Sequence, residues 1–363
     1  MTSKQKITIS RFSEINASIW NRFVDRCDEA WVHHAAEFVI ASSYCYSFGI
    51  FLEDRLEGIC AMGRERRRYG AYFSGPGVAL SKRAQIPEVY DTILFYLREL
   101  ARRTRTEAVE FTLPAMAPAN HSRAYGDCNL STLKFSPGIR WRKAWEHLPA
   151  YMSVVDLSRD SSEILRGFHK GQKANVRRCQ KLGVASRAIS GERCSDEEWV
   201  AFKEIHEITY ARSGGATFSA QRIDGLREMV RLGTLILFNG YSEAECVASM
   251  LVAVGKKGAF YYAGGARDEA RKNGVMAYMQ FEIMRWLKEA EFRYYCVGFT
   301  VPMLTGSAGG GIGDFKKRLG GEQWPMLAGD LVVSRARFLL RHFSYDLLRR
   351  IREGLLNLRG IDT

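Results

Sequence analysis

Two kinds of hydrophobic pattern alternate along the chain. Short apolar or alternating runs, such as Tyr151–Leu157 and Cys246–Val254, are typical of β-strands. Segments with apolar residues three and four positions apart, such as Pro87–Arg103 and Val275–Ala290, are typical of amphipathic helices. Between the two stretches that show these patterns, residues 121–149 have no clear period. The pattern therefore predicts two α/β units joined near residue 150.

We expect an α/β (α+β) fold in which each half is a mixed, mostly antiparallel sheet flanked by helices. The predicted boundaries are residues 1–149 for the first half, 150–330 for the second and 331–363 for a C-terminal helical segment. Arginines are interleaved with leucine and phenylalanine in that last segment, which predicts a basic amphipathic helix or helix pair. Two interpretations stay open for it: a helix docked on the body of the protein, or a peripheral contact with a membrane surface.

The net charge indicates which classes of molecule the protein binds. The chain of 363 residues has 53 lysines and arginines against 40 acidic residues, a net charge of +13, which favours phosphates, nucleotides, nucleic acid or anionic lipid. No apolar run approaches the roughly 20 residues of a membrane-spanning helix, and the polar first residues do not resemble a signal peptide. The eight cysteines are scattered without a C-x-x-C pair, and the histidines show no metal-ligand spacing. We expect a cytoplasmic protein with no transmembrane segment, no metal and no permanently bound cofactor.

A basic, glycine-containing turn follows a predicted strand and precedes a predicted helix. Its two parts are Ala263–Arg267 and Arg271–Met276. Backbone N–H groups at the start of a helix attract a phosphate, and nearby cations add to this. The turn therefore predicts a phosphate site at Arg271, Lys272, Asn273 and Gly274. The alternative is a polar connection with solvated arginines.

A second glycine-rich stretch, Gly309–Glu322, contains a predicted short helix from Ile312 to Leu319. Phe315 and Lys316 lie on this helix. A lysine held between glycine-flanked segments can stabilise a developing oxyanion where water is excluded. The alternative is that Lys316 and Lys317 form the exposed face of the helix.

Taken in order, several segments resemble the FemAB-type acyl and aminoacyl transferases of the GNAT superfamily. The resemblance covers about residues 150–325, and the first half matches only through Phe73–Gly77. The segments are Ser161–Lys170, Asn175–Val184, Thr209–Gly214, Phe260–Gly265, Tyr278–Ala290 and Phe315–Gly321.

The resemblance implies two GNAT-like halves and transfer of an acyl or aminoacyl group to a primary amine, with the second half carrying most of the active site. It places Phe315 and Lys316 at the reaction centre and the donor's pyrophosphate at the Arg271–Gly274 turn. The positions it implies for binding an anionic substrate are Arg212 and Tyr262. Tyr210 and Lys170 are further substrate-binding candidates, Lys170 as part of a basic helical face with Lys173, Arg177 and Arg178 that either contacts acceptor phosphates or is simply solvated. The proton of the amine needs an acceptor. The candidates, which the sequence does not rank, are His206, Glu207, Asp268 and Asp314.

Two departures from the tRNA-dependent members shape the expected function. No charged helical arm interrupts the second half, and Phe38 is not followed by a lysine. These departures favour acyl-CoA as co-substrate and an amino sugar, nucleotide-linked or otherwise part of a cell-envelope precursor, as acceptor. The alternatives are an aminoacyl-tRNA-dependent peptidoglycan-bridge transferase and a non-enzymatic basic protein that binds nucleic acid or lipid.

Overall fold

A computed structural model describes residues 6–67, 70–120, 139–143, 151–213, 217–300, 308–325 and 327–334. Two seven-stranded sheets organise these residues. The first sheet contains β1 (Ile7–Arg11), β2 (Phe48–Leu52), β3 (Arg55–Arg67), β4 (Gly70–Leu80), β5 (Ala108–Thr112), β6 (Ile139–Lys143) and β14 (Leu327–Val332). The second contains β7 (Tyr151–Asp156), β8 (Ala185–Ile189), β9 (Leu235–Ser242), β10 (Glu245–Gly255), β11 (Gly258–Ala266), β12 (Tyr294–Thr300) and β13 (Glu322–Pro325).

Helices pack on both sheets. Those of the first half are α1 (Ala17–Arg26), α2 (Ala36–Ala41) and α3 (Pro87–Arg103). Those of the second half are α4 (Ser161–Gly167), α5 (Lys170–Lys181), α6 (Asp196–Ser213), α7 (Ala220–Arg231), α8 (Asp268–Lys272), α9 (Val275–Glu289) and α10 (Ala308–Lys317). Pro87 occupies the first turn of α3, where its missing N–H leaves no hydrogen bond unmade. Helix α9 buries residues around most of its circumference because it lies between its own sheet and α5.

The two sheets have matching strand orders. The first is β1-β2-β3-β4-β5-β14-β6, and the second, read in the same direction, is β8-β9-β10-β11-β12-β7-β13. In each sheet the parallel pair joins the fourth and fifth strands, β4 with β5 and β11 with β12, and the other pairs are antiparallel. This confirms the predicted pair of mixed, mostly antiparallel sheets.

The sixth strand of each sheet is distant in sequence from at least one of the two strands it pairs with. Strand β7 follows the junction near residue 150 and lies between β12 and β13. Strand β14 follows the second half in sequence but lies between β5 and β6 of the first sheet. Residues 327–330, assigned to the second half from the sequence, thus pair in the first sheet, and Leu331 and Val332 end the same strand. Residues 331–334 of the predicted C-terminal helical segment are therefore not helical, and residues 335–363 lie outside the described residues. The predicted junction in residues 121–149 is described only at 139–143, which form β6.

The turn between β10 and β11 joins the halves. Lys256 in this turn donates to the carbonyl oxygens of Ala30, at 2.9 Å, and of Cys27. The indole N–H of Trp31 donates to the carbonyl oxygen of Gly255 at 2.9 Å. Because β11 continues from this turn towards the parallel pair, the contact with the first half also fixes the strand that borders the candidate site.

Candidate functional site

The second sheet opens between β11 and β12. Their parallel pairing covers three positions, from Gly258 opposite Tyr294 to Phe260 opposite Cys296. Beyond these positions β11 stays paired with β10 as far as Ala266, and β12 stays paired with β7 as far as Thr300. Two strand edges therefore diverge with backbone N–H and C=O groups that do not pair with each other. Such edges bind an extended chain through main-chain hydrogen bonds.

Lys316, at the end of α10, reaches the diverging part of β12. Its ammonium donates to the carbonyl oxygen of Phe299 at 3.3 Å and lies 5.0 Å from the centre of the Phe299 ring. The hydroxyl of Ser153 on β7 donates to the carbonyl oxygen of Lys316 at 3.4 Å, which ties the end of α10 to the sheet. Burial lowers the pKa of Lys316 from its ordinary value of 10.5. The cation is therefore partly desolvated, which strengthens its action on a nearby negative charge.

Gly298 makes room for this lysine. Its φ is +106°, and a β-carbon at this position would lie 2.6 Å from the Lys316 ammonium nitrogen. A residue with a side chain would be strained and would also collide with the lysine. The sequence analysis missed Gly298, although an isolated glycine late in a strand pattern indicates a bulge or a close approach.

Phe315, the neighbour of Lys316, points elsewhere. It is partly buried and packs against the core between the second sheet, α5 and α9. Its contacts anchor α10, so the aromatic ring holds the helix that carries the lysine.

The basic turn follows β11 and contains α8. Gly274 has a φ of +87° and directly precedes α9. Lys272 and Asn273 are exposed, and Arg271 pairs with Asp268 at 3.8 Å. The turn therefore presents two cations and the first N–H groups of α9 in one place, the arrangement that attracts a phosphate.

Helix α5 connects the lysine and the basic turn. Its N-cap residue, His169, donates its backbone N–H to the carbonyl oxygen of Arg318 at 2.9 Å, two residues after Lys316. Six residues further along, the side chain of Asn175 lies directly against Gly274. Six residues of α-helix span about 9 Å. The end of α10 and the basic turn thus flank one short stretch of surface.

The other predicted substrate-binding residues differ in their surroundings. Arg212 is neutralised, since it donates to Asp268 at 2.5 Å and to the carbonyl oxygen of Ala266 at 3.3 Å. Tyr210 packs against His206, with ring centres 4.2 Å apart, and burial raises its pKa. Tyr262 lies between the halves, 5.8 Å from the ring of Phe38. Lys170 is exposed at the start of α5.

The proposed proton acceptors can also be compared. The Nε2 atom of His206 accepts the backbone N–H of Phe218 at 3.3 Å, and burial lowers the pKa of His206. Asp268 is held by Arg212 and Arg271, and Asp314 lies 3.9 Å from Lys317. These contacts engage the histidine and both aspartates, while Glu207 is exposed on α6.

Arg222 of α7 was not among the residues selected from the sequence. It donates to the hydroxyl of Tyr262 at 2.7 Å, and its guanidinium carbon lies 4.0 Å from the centre of the Phe218 ring. A single arginine on a helix gives no signal in the sequence, because its position at the interface depends on how α7 packs.

The described part of the chain has neither a cluster of metal-ligating residues nor a helix that could span a membrane. Its histidines, cysteines and acidic residues form no group of three or more suited to a metal ion. No helix there combines the length and the apolar character needed to cross a bilayer.

Comparison with known proteins assigns the domain. Residues 170–316 match the acetyltransferase (GNAT) domain family. A search of curated proteins gives no match. The crystal structure of FemX is similar over 92% of this chain and 99% of its own, with 14% identity and a TM-score of 0.67.

Two further structures share the fold. L-PGS from Bacillus licheniformis is 14% identical over 78% of this chain and 85% of its own, with a TM-score of 0.52. A tandem GNAT protein from the clavulanic acid biosynthesis pathway is 12% identical over 91% of this chain and 99% of its own, with a TM-score of 0.51. At these identities the likeness concerns the fold. Residues 170–316 thus match the acetyltransferase (GNAT) domain family, and the fold of the chain is similar to that of FemX.

Proposed function

We propose that the protein transfers an acyl group from acyl-CoA to a primary amine, and that the acceptor is an amino sugar, nucleotide-linked or otherwise part of a cell-envelope precursor. The observation that carries the proposal is the divergence of β11 and β12, together with the Lys316 ammonium bound to the diverging part of β12. The free edges suit the extended amide chain of pantetheine. The basic turn at the far end of β11 suits the pyrophosphate.

In this mechanism Lys316 stabilises charge during attack. The amine nitrogen attacks the thioester carbonyl, the new C–N bond forms, and the carbonyl oxygen becomes an oxyanion. Lys316 lies in a partly desolvated place, where a cation stabilises an oxyanion more strongly than in water. When the oxyanion collapses, the C–S bond breaks and the sulfur leaves as a thiolate. The thiolate takes up the proton that the amine releases, through water, which needs no free carboxylate beside the lysine.

A second candidate donor, aminoacyl-tRNA, is favoured by α5. This helix has five cations and no acidic residue, and none of the five forms an ion pair in the described part of the chain. They are Lys170, Lys173, Arg177, Arg178 and Lys181. An unneutralised basic face beside the reaction centre suits a polyanion larger than CoA. The similarity of the fold to that of FemX is consistent with aminoacyl-tRNA as the donor.

Release of free thiol from acyl-CoA distinguishes the donors. The purified protein is incubated with acetyl-CoA and with longer acyl-CoAs, together with a panel of free and nucleotide-linked amino sugars. We expect amine-dependent thiol release that Lys316→Ala reduces and Lys317→Ala leaves unchanged. Transfer from aminoacyl-tRNA without consumption of any thioester would replace the first proposal by the second. Salt-sensitive nucleic-acid binding without transfer from either donor would leave a binding protein.

A further inference from the structure

Among the arginines of the second half that form no ion pair within the described residues, Arg222 is distinguished by being partly buried. Arg212 and Arg227 pair with aspartates, and Arg267 pairs with two glutamates. Arg222 forms no ion pair within the described residues, and its charged group contacts only a phenol and aromatic rings. A partly buried cation without an acidic partner is costly unless a ligand supplies the charge.

Arg222 and two residues of α6 have buried polar atoms without a hydrogen-bond partner. The Nε atom of Arg222, the Nδ1 atom of His206 and the hydroxyl of Thr209 are buried and have no hydrogen-bond partner. Buried polar groups in a complete structure are nearly always hydrogen-bonded. Three such atoms close to the end of β11 indicate that this region is completed by a group that the described residues do not supply.

Residues from both halves contribute to the region. Tyr262 on β11 accepts from Arg222 and contacts Phe38 of α2. Tyr44 of the first half is partly buried, which raises its pKa to about 12, and the positive charge of Arg222 opposes this rise. Glu65, an acid that also acts on Tyr44, already accepts the hydroxyls of Tyr72 and Ser74. The surroundings thus offer one cation with several neutral hydroxyls.

We propose that Arg222, oriented by Tyr262, binds an oxyanion of single charge on the acceptor molecule, either a carboxylate or a phosphodiester. The guanidinium fork fits both groups, and one cation with neutral hydroxyl donors matches a single negative charge. The inference rests on the proposed function, since it gives the acceptor a fixed anchor at the diverging part of β11, while Lys316 contacts the diverging part of β12. It moves the anion-binding role from Arg212, which Asp268 neutralises, to Arg222.

Direct binding of small anions tests the subsite without the unknown acceptor. Saturation-transfer NMR on the full chain follows the methyl protons of propionate, as carboxylate probe, and of dimethyl phosphate, as phosphodiester probe. We expect at least one of the two to bind and the preferred one to identify the source. Arg222→Gln should weaken that binding about tenfold or more, the scale of charge-assisted hydrogen bonds. Arg227→Gln, on the same helix but paired with Asp196, is the matched control and should bind normally.

The two proposals fail separately. Equal anion binding by Arg222→Gln and the unaltered protein, or no binding of either probe by the unaltered protein, would overturn the subsite. Binding of acetyl-CoA, measured in parallel, should be the same in Arg222→Gln. If anions bind through Arg222 but no thioester is consumed, the subsite stands and the donor assignment falls. Should Arg222→Gln unfold, Tyr262→Phe keeps the ring and removes the orienting hydroxyl, and must then show the weakening.

Discussion

The parallel strand pairs of the two halves occupy the same place in sheets of the same order, yet their surroundings are opposite. In the first half, four of the five residues of β5 pair with β4, so the parallel pairing covers almost the whole of the shorter strand. In the second half, β12 runs four residues beyond its last pair with β11. We therefore propose the unpaired edges of the second half as the place where a chain of pantetheine type binds.

The turns after β4 and β11 differ in charge as well. The connection from β4 to α3 is built around the buried carboxylate of Glu29, which accepts the N–H of Leu80 at 2.9 Å and the side-chain amide of Gln85 at 3.2 Å. Both connections carry two basic residues, Lys82 and Arg83 in the first half and Arg271 and Lys272 in the second, but within the described residues only the first is built on a buried carboxylate. A carboxylate repels a phosphate where cations attract it. We therefore propose that this connection binds the donor in the second half and has a structural role in the first.

Replacing Lys316 should cause the largest loss. We expect Lys316→Ala to lower kcat at least about tenfold, because it removes the cation proposed to stabilise the oxyanion. The thermal midpoint should change little, since the ammonium is bound to one carbonyl oxygen and lies against one ring. Lys317→Ala, which removes an adjacent lysine paired with Asp314, is the control. Full activity of Lys316→Ala would remove this lysine from the mechanism.

Gly298→Ala should cost about tenfold in kcat, because the added methyl group occupies the place of the Lys316 ammonium. Gly233→Ala is a matched control: its φ of +76° gives similar backbone strain, and no atom lies within 4 Å of the added carbon. Both variants should lose similar stability, roughly 1 kcal/mol. Equal kinetic losses in the two would show that strain, and not the lysine, is responsible.

The charge difference between the turns is tested by Lys272→Glu and Lys82→Glu. Lys82 lies in the short helical turn between β4 and α3, the first-half counterpart of the basic turn. We expect Lys272→Glu to raise the KM for acyl-CoA about fivefold, the scale of a surface charge acting on a phosphate. Lys82→Glu should leave that KM unchanged. The reverse result would place the donor in the first half.

The alkaline limb of the pH profile should depend on Lys316. Burial lowers its pKa below 10.5, so the charged form is lost as the pH rises through this lowered value. If the charged form acts, kcat is highest below that pKa and falls above it, at a pH lower than an exposed lysine would give. In Lys316→Arg the guanidinium stays charged, so this fall should disappear although kcat is lower. An identical limb in both enzymes would assign it to another group.

Hydrophobic periodicity was sufficient to predict the two mixed sheets, because apolar runs and helical spacing are local properties. It predicted α10 from Ile312, whereas the helix begins at Ala308 and includes four glycines, residues of low helix propensity. Membership of β14 in the first sheet depends on pairing across the chain and leaves no local mark. Lys316 was selected because the glycines around it are visible in the sequence. Gly298 and Arg222 were missed because their contacts depend on tertiary packing.

The smallest effect on turnover is expected from the turn that joins the halves. Lys256→Met removes the ammonium that binds the carbonyl oxygens of Ala30 and Cys27 and should lower the free energy of unfolding by about 1–2 kcal/mol. Lys257→Met is the matched control, since Lys257 follows in the same turn, also has a positive φ and pairs only with the exposed Glu291. It should change stability by less than about 0.5 kcal/mol. Denaturant unfolding of both variants measures the difference, and kcat should stay near that of the unaltered protein because Lys316 is anchored within the second half. A large fall in kcat for Lys256→Met alone would mean that the position of β11, and with it the divergence from β12, depends on the first half.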